Sequence, residues 1–212
     1  MQIKLKNPWQ TINILCWMPV VFLLIDICFD NLGGNPIQAL HIRLGDWCLR
    51  FLLITLLITP VQVFTKWRGM ANYRQLFGLW SFAYGSLHVL GYLWVDHGWV
   101  WRVIFTDIFE SSYIWFGIIA FLIVALLAVT SPDAAKKKLG KRWKKIHKLI
   151  YSASILAVLH YFWQLKGNLA EPVFYSFLLG FLLLFRLTVW FKNRRLMFLG
   201  VPKGKRKDEL KS

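Results

Sequence analysis

At 212 residues, 57% hydrophobic and 17% aromatic, with a mean hydropathy of +0.48, the chain is too apolar for a water-soluble enzyme or a disordered segment. A net charge of +16 would suggest nucleic acid in a soluble protein, but here the basic residues are confined to segments that alternate with long apolar runs. That pattern is a topology and lipid-headgroup signal, and nucleic acid is set aside as a partner. Cys16, Cys28 and Cys48 show no C-x-x-C and fit neither a zinc site nor a disulfide framework, so they read as small apolar residues within or beside the spans.

In chain order, the apolar runs predict membrane spans at 11–29, 47–64, 75–95, 112–130, 147–165 and 172–191. Each is near the length of about 17–25 residues that a membrane-crossing helix needs. The first follows Lys4 and Lys6, like a signal peptide, but its apolar stretch is long and no small-x-small cleavage site follows, so it is read as retained. The expected fold is all-α: one polytopic six-helix transmembrane bundle with a basic tail, 192–212. Lys and Arg cluster at Lys4/Lys6, 66–74, 136–148 and from Lys192, whereas Arg43, Arg102 and Lys166 occupy the alternate loops. The excess of positive charge on one side then places both termini in the cytoplasm. The string Lys207-Asp208-Glu209-Leu210 is followed by Lys211 and Ser212, so it is not read as a retrieval signal.

Three histidines fall inside apolar runs: His88, His147 and His160. Ionisable side chains are costly in a bilayer and are usually there to bind or carry something. Measured from the cytoplasmic side at about 1.5 Å per residue, His88 lies about 21 Å up the third span and His160 roughly 20 Å up the fifth. Two imidazoles at matched depth on different helices are the geometry for two axial ligands of one haem. His147 sits alone near the cytoplasmic boundary, and thirteen residues place it roughly 140° around the helix from His160. It reads equally as a ligand of a second haem and as an interfacial residue. His41 and His97 fall in outer loops and read as solvated. Small residues near the pair (Gly78, Gly85, Ser86 and Gly91; Ser152, Ala153, Ser154 and Ala157) would admit a flat macrocycle, or equally serve close helix packing.

The segment Leu139-Gly140-Lys141-Arg142-Trp143-Lys144-Lys145-Ile146-His147-Lys148-Leu149-Ile150-Tyr151, continuing to Leu159-His160-Tyr161-Phe162-Trp163, resembles the fifth-span signature of the MsrQ (YedZ) family. Arg74-Gln75-Leu76-Phe77-Gly78-Leu79-Trp80 with Leu87-His88 and Tyr92 is similar to its third span, and 51–60 to its second. The likeness runs from about residue 32 to 165. It implies a haem-binding membrane subunit of a methionine-sulfoxide reductase system, within the ferric-reductase-like superfamily. Electrons from the quinone pool or a cytoplasmic flavin reductase would cross through b-type haem to MsrP, a periplasmic molybdopterin enzyme that repairs oxidised methionines. His88, His147 and His160 then correspond to the family's haem histidines, as iron ligands. FMN is implied as well, but no residue here is assigned to it.

Ferric reductases carry a further FAD/NAD domain and two histidines on the third span, whereas this chain shows no G-x-G-x-x-G fingerprint and one such histidine. A partner is therefore expected to supply reducing equivalents, the chain is expected to have no substrate-reducing site of its own, and one haem or two remain open. Arg68, Arg74, Lys144 and Lys145 read as positive-inside residues, or as partners of haem propionates or a flavin phosphate. Trp80, Trp94, Trp143 and Trp163 read as interface anchors. Asp30, Asp96, Asp107 and Glu110 mark the outer loops where a partner would dock. The alternatives are a small transporter or channel whose intramembrane histidines relay protons or bind a metal, and a haem-free scaffold. Few polar groups in the spans and no inverted repeat speak against the transporter.

Overall fold

A computed structural model describes residues 8–164 and 169–198, and every regular element among them is helical. Lys4, Lys6, Lys166 and the distal part of the basic tail lie outside the described residues. The first apolar run forms α1 (Pro8–Leu15) and α2 (Met18–Cys28), separated by a turn at Cys16–Trp17. Then follow α3 (Pro36–Thr65), α4 (Ala71–Gly91) with a π-helical turn over Tyr92–Asp96, α5 (Trp101–Glu110) and α6 (Ser112–Val129). On the far side, α7 (Asp133–Leu139) and α8 (Lys141–Ile146) lead through a 3-10 turn at His147–Leu149 into α9 (Ile150–Gln164), and α10 (Ala170–Phe198) closes the described chain.

Among the described residues, four helical stretches are long and apolar enough to cross a membrane: Pro8–Cys28 (α1 with α2), Pro36–Thr65, Ser112–Val129 and Ala170–Lys192. The other two expected spans correspond to α4 and α9. The first is diluted by Asn72, Arg74, Gln75, Ser81, Ser86 and His88, and the second is 15 residues long. These are the helices that carry His88 and His160.

Four helices form the centre, in the ring order α3–α4–α6–α9, with α3 and α4 the most extensive pair and α6 with α9 the next. Small residues let the first pair approach: Ser81 Oγ donates to the Cys48 carbonyl at 2.9 Å, and a Cβ on Gly85 would sit 3.2 Å from Cys48 Sγ. α10 lies along α3 and α9, burying Leu53, Leu56, Tyr161, Leu179 and Leu182, while Cys16 of the α1–α2 turn and Leu23 of α2 pack against Phe51 and Tyr84. Outward faces carry exposed Leu, Phe and Trp, as a surface solvated by lipid tails does.

α3 begins at Pro36, eleven residues before the expected 47, because Asn35 caps it (its side chain accepts from the Gln38 N–H at 3.1 Å) and proline suits the first turn. Of the polar positions that interrupt its apolar run, His41 and Asp46 are buried in the interior, while Gln38 is exposed. Pro60 lies inside α3 and has no N–H for the carbonyl four residues back, Leu56. Arg186 on α10 fills that vacancy. Its Nη2 donates to the Leu56 carbonyl (3.2 Å) and Thr59 Oγ1 (2.6 Å), and its Nη1 to the Tyr151 hydroxyl (2.6 Å). An arginine within a span is thereby tied to the helix defect that needs it.

Segment 96–111, expected as a loop, contains α5. Trp101, Phe105 and Phe109 recur at four-residue spacing on an exposed face, while Ile104 is buried. The basic segment 132–146 likewise folds as two short helices, broken at Gly140 (φ +49°), a left-handed position that favours glycine.

Candidate functional site

A cavity of about 890 Å3 lies among α3, α4, α6 and α9, near the upper end of the range of about 300–1,000 Å3 for small-molecule sites. Leu49, Leu52, Ala120, Phe121, Val124 and Ala157 line it with apolar atoms. Asn35, Gln38, Tyr92, Asp96 and Asp107 make another part of its wall polar. His88 and His160 both lie on this wall, from α4 and α9.

The two rings are 6.3 Å apart between centroids and inclined at 82°. His88 Nδ1 lies 3.1 Å from the His41 carbonyl oxygen, and His160 Nδ1 lies 2.8 Å from that of Tyr113. A carbonyl oxygen only accepts, so each Nδ1 carries the hydrogen and each Nε2 keeps its lone pair. Neither Nε2 has a hydrogen-bond partner among the described residues. Metal–imidazole bonds run about 2.0–2.1 Å and a ring nitrogen lies about 1.2 Å from its centroid, so two rings on one metal have centroids about 6.3–6.6 Å apart. The observed spacing meets that requirement. Backbone carbonyls that fix tautomer and ring direction are the usual supports of ligating histidines.

Glycines on facing helices make room for these rings. A Cβ on Gly117 of α6 would stand 2.8 Å from His160 Nδ1, and one on Gly45 of α3 would stand 3.4 Å from His88 Cε1. Gly91 does the same for His41, at 3.2 Å. Residue types, spacing and cavity volume therefore fit a planar macrocycle, which His88 and His160 would hold through its iron. Among the described residues no group of three or more His, Cys, Asp or Glu is placed to hold a bare metal ion.

The ferric reductase like transmembrane component family matches residues 44–158, from α3 to α9. The protein-methionine-sulfoxide reductase heme-binding subunit MsrQ of Azospira oryzae is 40% identical over 172 residues, 80% of this chain and 74% of that protein. The subunit of the same name from Rhodospirillum rubrum is 38% identical over 183 residues, 86% and 88% of the two chains. That of Bordetella pertussis is 38% identical over 167 residues, 78% and 81%. The chain belongs to the MsrQ family.

Of the three histidines that resemblance to MsrQ proteins points to, the structure brings two together and holds the third apart. His147 is not on the cavity wall. Its ring stacks on Trp143 (4.1 Å, 30°) and its Nε2 lies 3.1 Å from Thr130 Oγ1. That hydroxyl already donates to the Leu126 carbonyl at 2.7 Å, so it accepts from His147, and Nε2 is occupied by its hydrogen.

His41 and His97 are not solvated, contrary to expectation. His41 is buried within α3, because the helix starts before it. Its ring lies edge-on to His88 at 5.7 Å, with Nε2 3.0 Å from Asp96 Oδ2. His97 packs on Tyr92 at 4.5 Å and lies 3.3 Å from Asp107, which also accepts from the Tyr92 hydroxyl at 2.7 Å. Both histidines line the cavity.

Of the cationic candidates, Arg74 donates to Gln62 Oε1 at 3.1 Å, Lys144 and Lys145 are exposed, and the side chain of Arg68 lies outside what is described. Trp80 is an internal packing residue, bonded to Asn13 Oδ1 at 2.9 Å and edge-on to Trp17. Trp94 and Trp163 are exposed, as anchors would be. Gly78 has nothing within 4 Å of an added Cβ and is not on the cavity wall, so it makes no room for a macrocycle. Gly45 and Gly117 were missed. The sequence signal available for each was a glycine 43 positions from a site histidine, which carries no meaning until the helices are paired.

Proposed function

We propose that the chain is a transmembrane electron-transfer subunit that holds one b-type haem between α4 and α9, with His88 and His160 as its two axial ligands. The observation that carries this reading is the pair of carbonyl-oriented imidazoles with bare Nε2 atoms 6.3 Å apart by centroid in a cavity of about 890 Å3. When bound, a haem saturated by two imidazoles supplies reversible one-electron chemistry and no open position for substrate. The residues do the rest: the His41 and Tyr113 carbonyls aim the rings, Gly45 and Gly117 let them approach, and the apolar wall excludes water. His147, occupied by Trp143 and Thr130, supports a count of one haem and an interfacial role for itself.

Six spans, α4 and α9 completing the four longer ones, together with basic segments that alternate with apolar ones, support a reading with both termini in the cytoplasm of a bacterial inner membrane. Relatives are named as subunits of a protein-methionine-sulfoxide reductase, which supports a periplasmic molybdopterin partner, MsrP, as the electron acceptor. Electrons would enter from the quinone pool or a cytoplasmic flavin reductase. FMN rests on family resemblance alone, with no residue to carry it.

The test is haem stoichiometry and function together. The purified protein should carry one haem per chain, be reduced by dithionite, and be reoxidised by purified MsrP only when methionine sulfoxide is present. A protein that stays colourless after added haemin, or a reduced haem that MsrP never reoxidises, overturns the proposal.

A further inference from the structure

At the end of the bundle where α3 and α10 finish and α4 begins, two arginines have no carboxylate to balance them. Arg186 reaches α3 from α10 and Arg74 reaches it from α4, and they bond Thr59 and Gln62, three apart on one face of α3. The two charges are close enough to act on each other, and Tyr151 lies beside both. Neither makes an ion pair among the described residues, where the one acid at this end, Asp133, is held by Lys136 at 3.0 Å. Arg186 donates to three acceptors and Arg74 to one, all of them neutral, which leaves N–H groups over on both. The Nε atom of each is buried with no hydrogen-bond partner. Neither side chain lines the histidine cavity.

Two like charges among apolar helices repel each other and lose hydration, a cost that a shared counter-anion removes. Phosphate suits the position, because a guanidinium fork matches its oxygens two at a time. The surroundings show how the phosphate arrives. Along α10, Trp190 follows Arg186 by four residues and Arg194 follows Trp190 by four, with the Arg194 guanidinium 4.7 Å over the Trp190 ring. Cation, tryptophan and cation in that order match the boundary of a bilayer leaflet and its anionic headgroups. Beside them Phe64 of α3 packs on Phe185 of α10 at 5.6 Å. Phe64, Leu187 and Phe191 are exposed, a surface for an acyl chain and not for a free ion.

We propose that Arg74 and Arg186 hold the phosphate of an anionic phospholipid, seated where α10 meets the end of α3, with its acyl chains on Phe64 and Leu187. Trp190 and Arg194 flank the headgroup. The lipid ties α4 and α10 to α3 at the level where Pro60 breaks the helix's own hydrogen-bond ladder. The inference does not depend on the haem reading above.

The experiment is native mass spectrometry of the purified protein in detergent, titrated with phosphatidylglycerol, phosphatidylcholine or inorganic phosphate. Wild type should bind one phosphatidylglycerol per chain, about tenfold more tightly than phosphatidylcholine. Arg74→Gln, which spares the Arg186 bonds to α3, should raise the Kd for phosphatidylglycerol about tenfold and leave that for phosphatidylcholine unchanged. Lys138→Gln, which removes an exposed charge from the same end of the bundle, should bind like wild type. An unchanged far-ultraviolet circular dichroism spectrum and melting temperature show that the variants are folded. Equal affinity of wild type for the two lipids, or the same loss in Lys138→Gln as in Arg74→Gln, overturns the inference. So does displacement of the lipid by inorganic phosphate, which makes this a free-anion site, or copurified FMN that is lost in Arg74→Gln, which makes it a flavin site.

Discussion

Gly117→Ala is the sharpest perturbation the site offers. The added Cβ would lie 2.8 Å from His160 Nδ1, 2.9 Å from Cε1 and 3.2 Å from Cγ. Non-bonded contacts between such atoms settle at about 3.5–4.0 Å, so the ring must retreat by roughly 0.6 Å or more. A metal–ligand distance tolerates about 0.2 Å, a third of that retreat. The same movement strains the 2.8 Å contact from Nδ1 to the Tyr113 carbonyl, which sets the ring's direction. Loss of such an orienting partner typically lowers metal affinity 10–100-fold, about 1.4–2.7 kcal/mol. The fold should not suffer, because alanine is the better helix former by about 1 kcal/mol. Gly78→Ala is the control, since nothing lies within 4 Å of its Cβ. Haemin titration of the purified variants should show Gly117→Ala binding at least tenfold more weakly, with a shift towards a five-coordinate spectrum, and Gly78→Ala binding like wild type. Wild-type affinity and an unchanged low-spin spectrum in Gly117→Ala would refute the reasoning.

His147→Ala should keep its full haem content, because the lost groups are a stack on Trp143 and one hydrogen bond, together about 1–2 kcal/mol of stability. A fall in haem per chain would show that His147 is a ligand. Arg186→Met should destabilise the protein by about 2–3 kcal/mol in thermal melts in detergent. The cost should shrink by about 1 kcal/mol in a Pro60→Ala background, where the alanine N–H reaches the Leu56 carbonyl. Strict additivity of the two changes would contradict the pairing. Asp133 is fully exposed, and the Lys136 ammonium beside it holds its carboxyl below the usual range. A depressed acid contributes stability above its unfolded value of about 3.9 and loses it as pH falls through the lower, folded value. Solvent screening makes that contribution small, so Asp133→Asn should melt like wild type from pH 5 to 8. A clear pH-dependent difference would mean that the loop is less exposed than the structure has it.

The residues that reveal themselves in the sequence are those whose chemistry is out of place. His88 and His160 stand out against apolar surroundings, and helical rise alone puts them at one level, where the structure finds them facing. What surrounds them is silent for physical reasons. Gly117 and His160 meet only because α6 packs on α9, and Gly45 meets His88 only because α3 packs on α4. His41 looked solvated because polar positions broke the apolar run, when in fact His41 and Asp46 are buried in the bundle. The expected spans failed to show α5 because its apolar period is 3.6 and its length is ten residues. Pro60 and Arg186, 126 positions apart, explain each other only once Leu56 is seen between them. Apolar run length finds the lipid-facing helices best, and it undervalues α4 and α9, whose polar and small residues build the site.

The most direct test of a single haem held by His88 and His160 is electron paramagnetic resonance of the ferric protein, wild type beside His88→Ala, His160→Ala and His147→Ala. Imidazole planes near 82° predict one strongly anisotropic low-spin signal, lost in the first two variants and unchanged in the third. A high-spin wild type, or a second low-spin signal that disappears with His147, would contradict it.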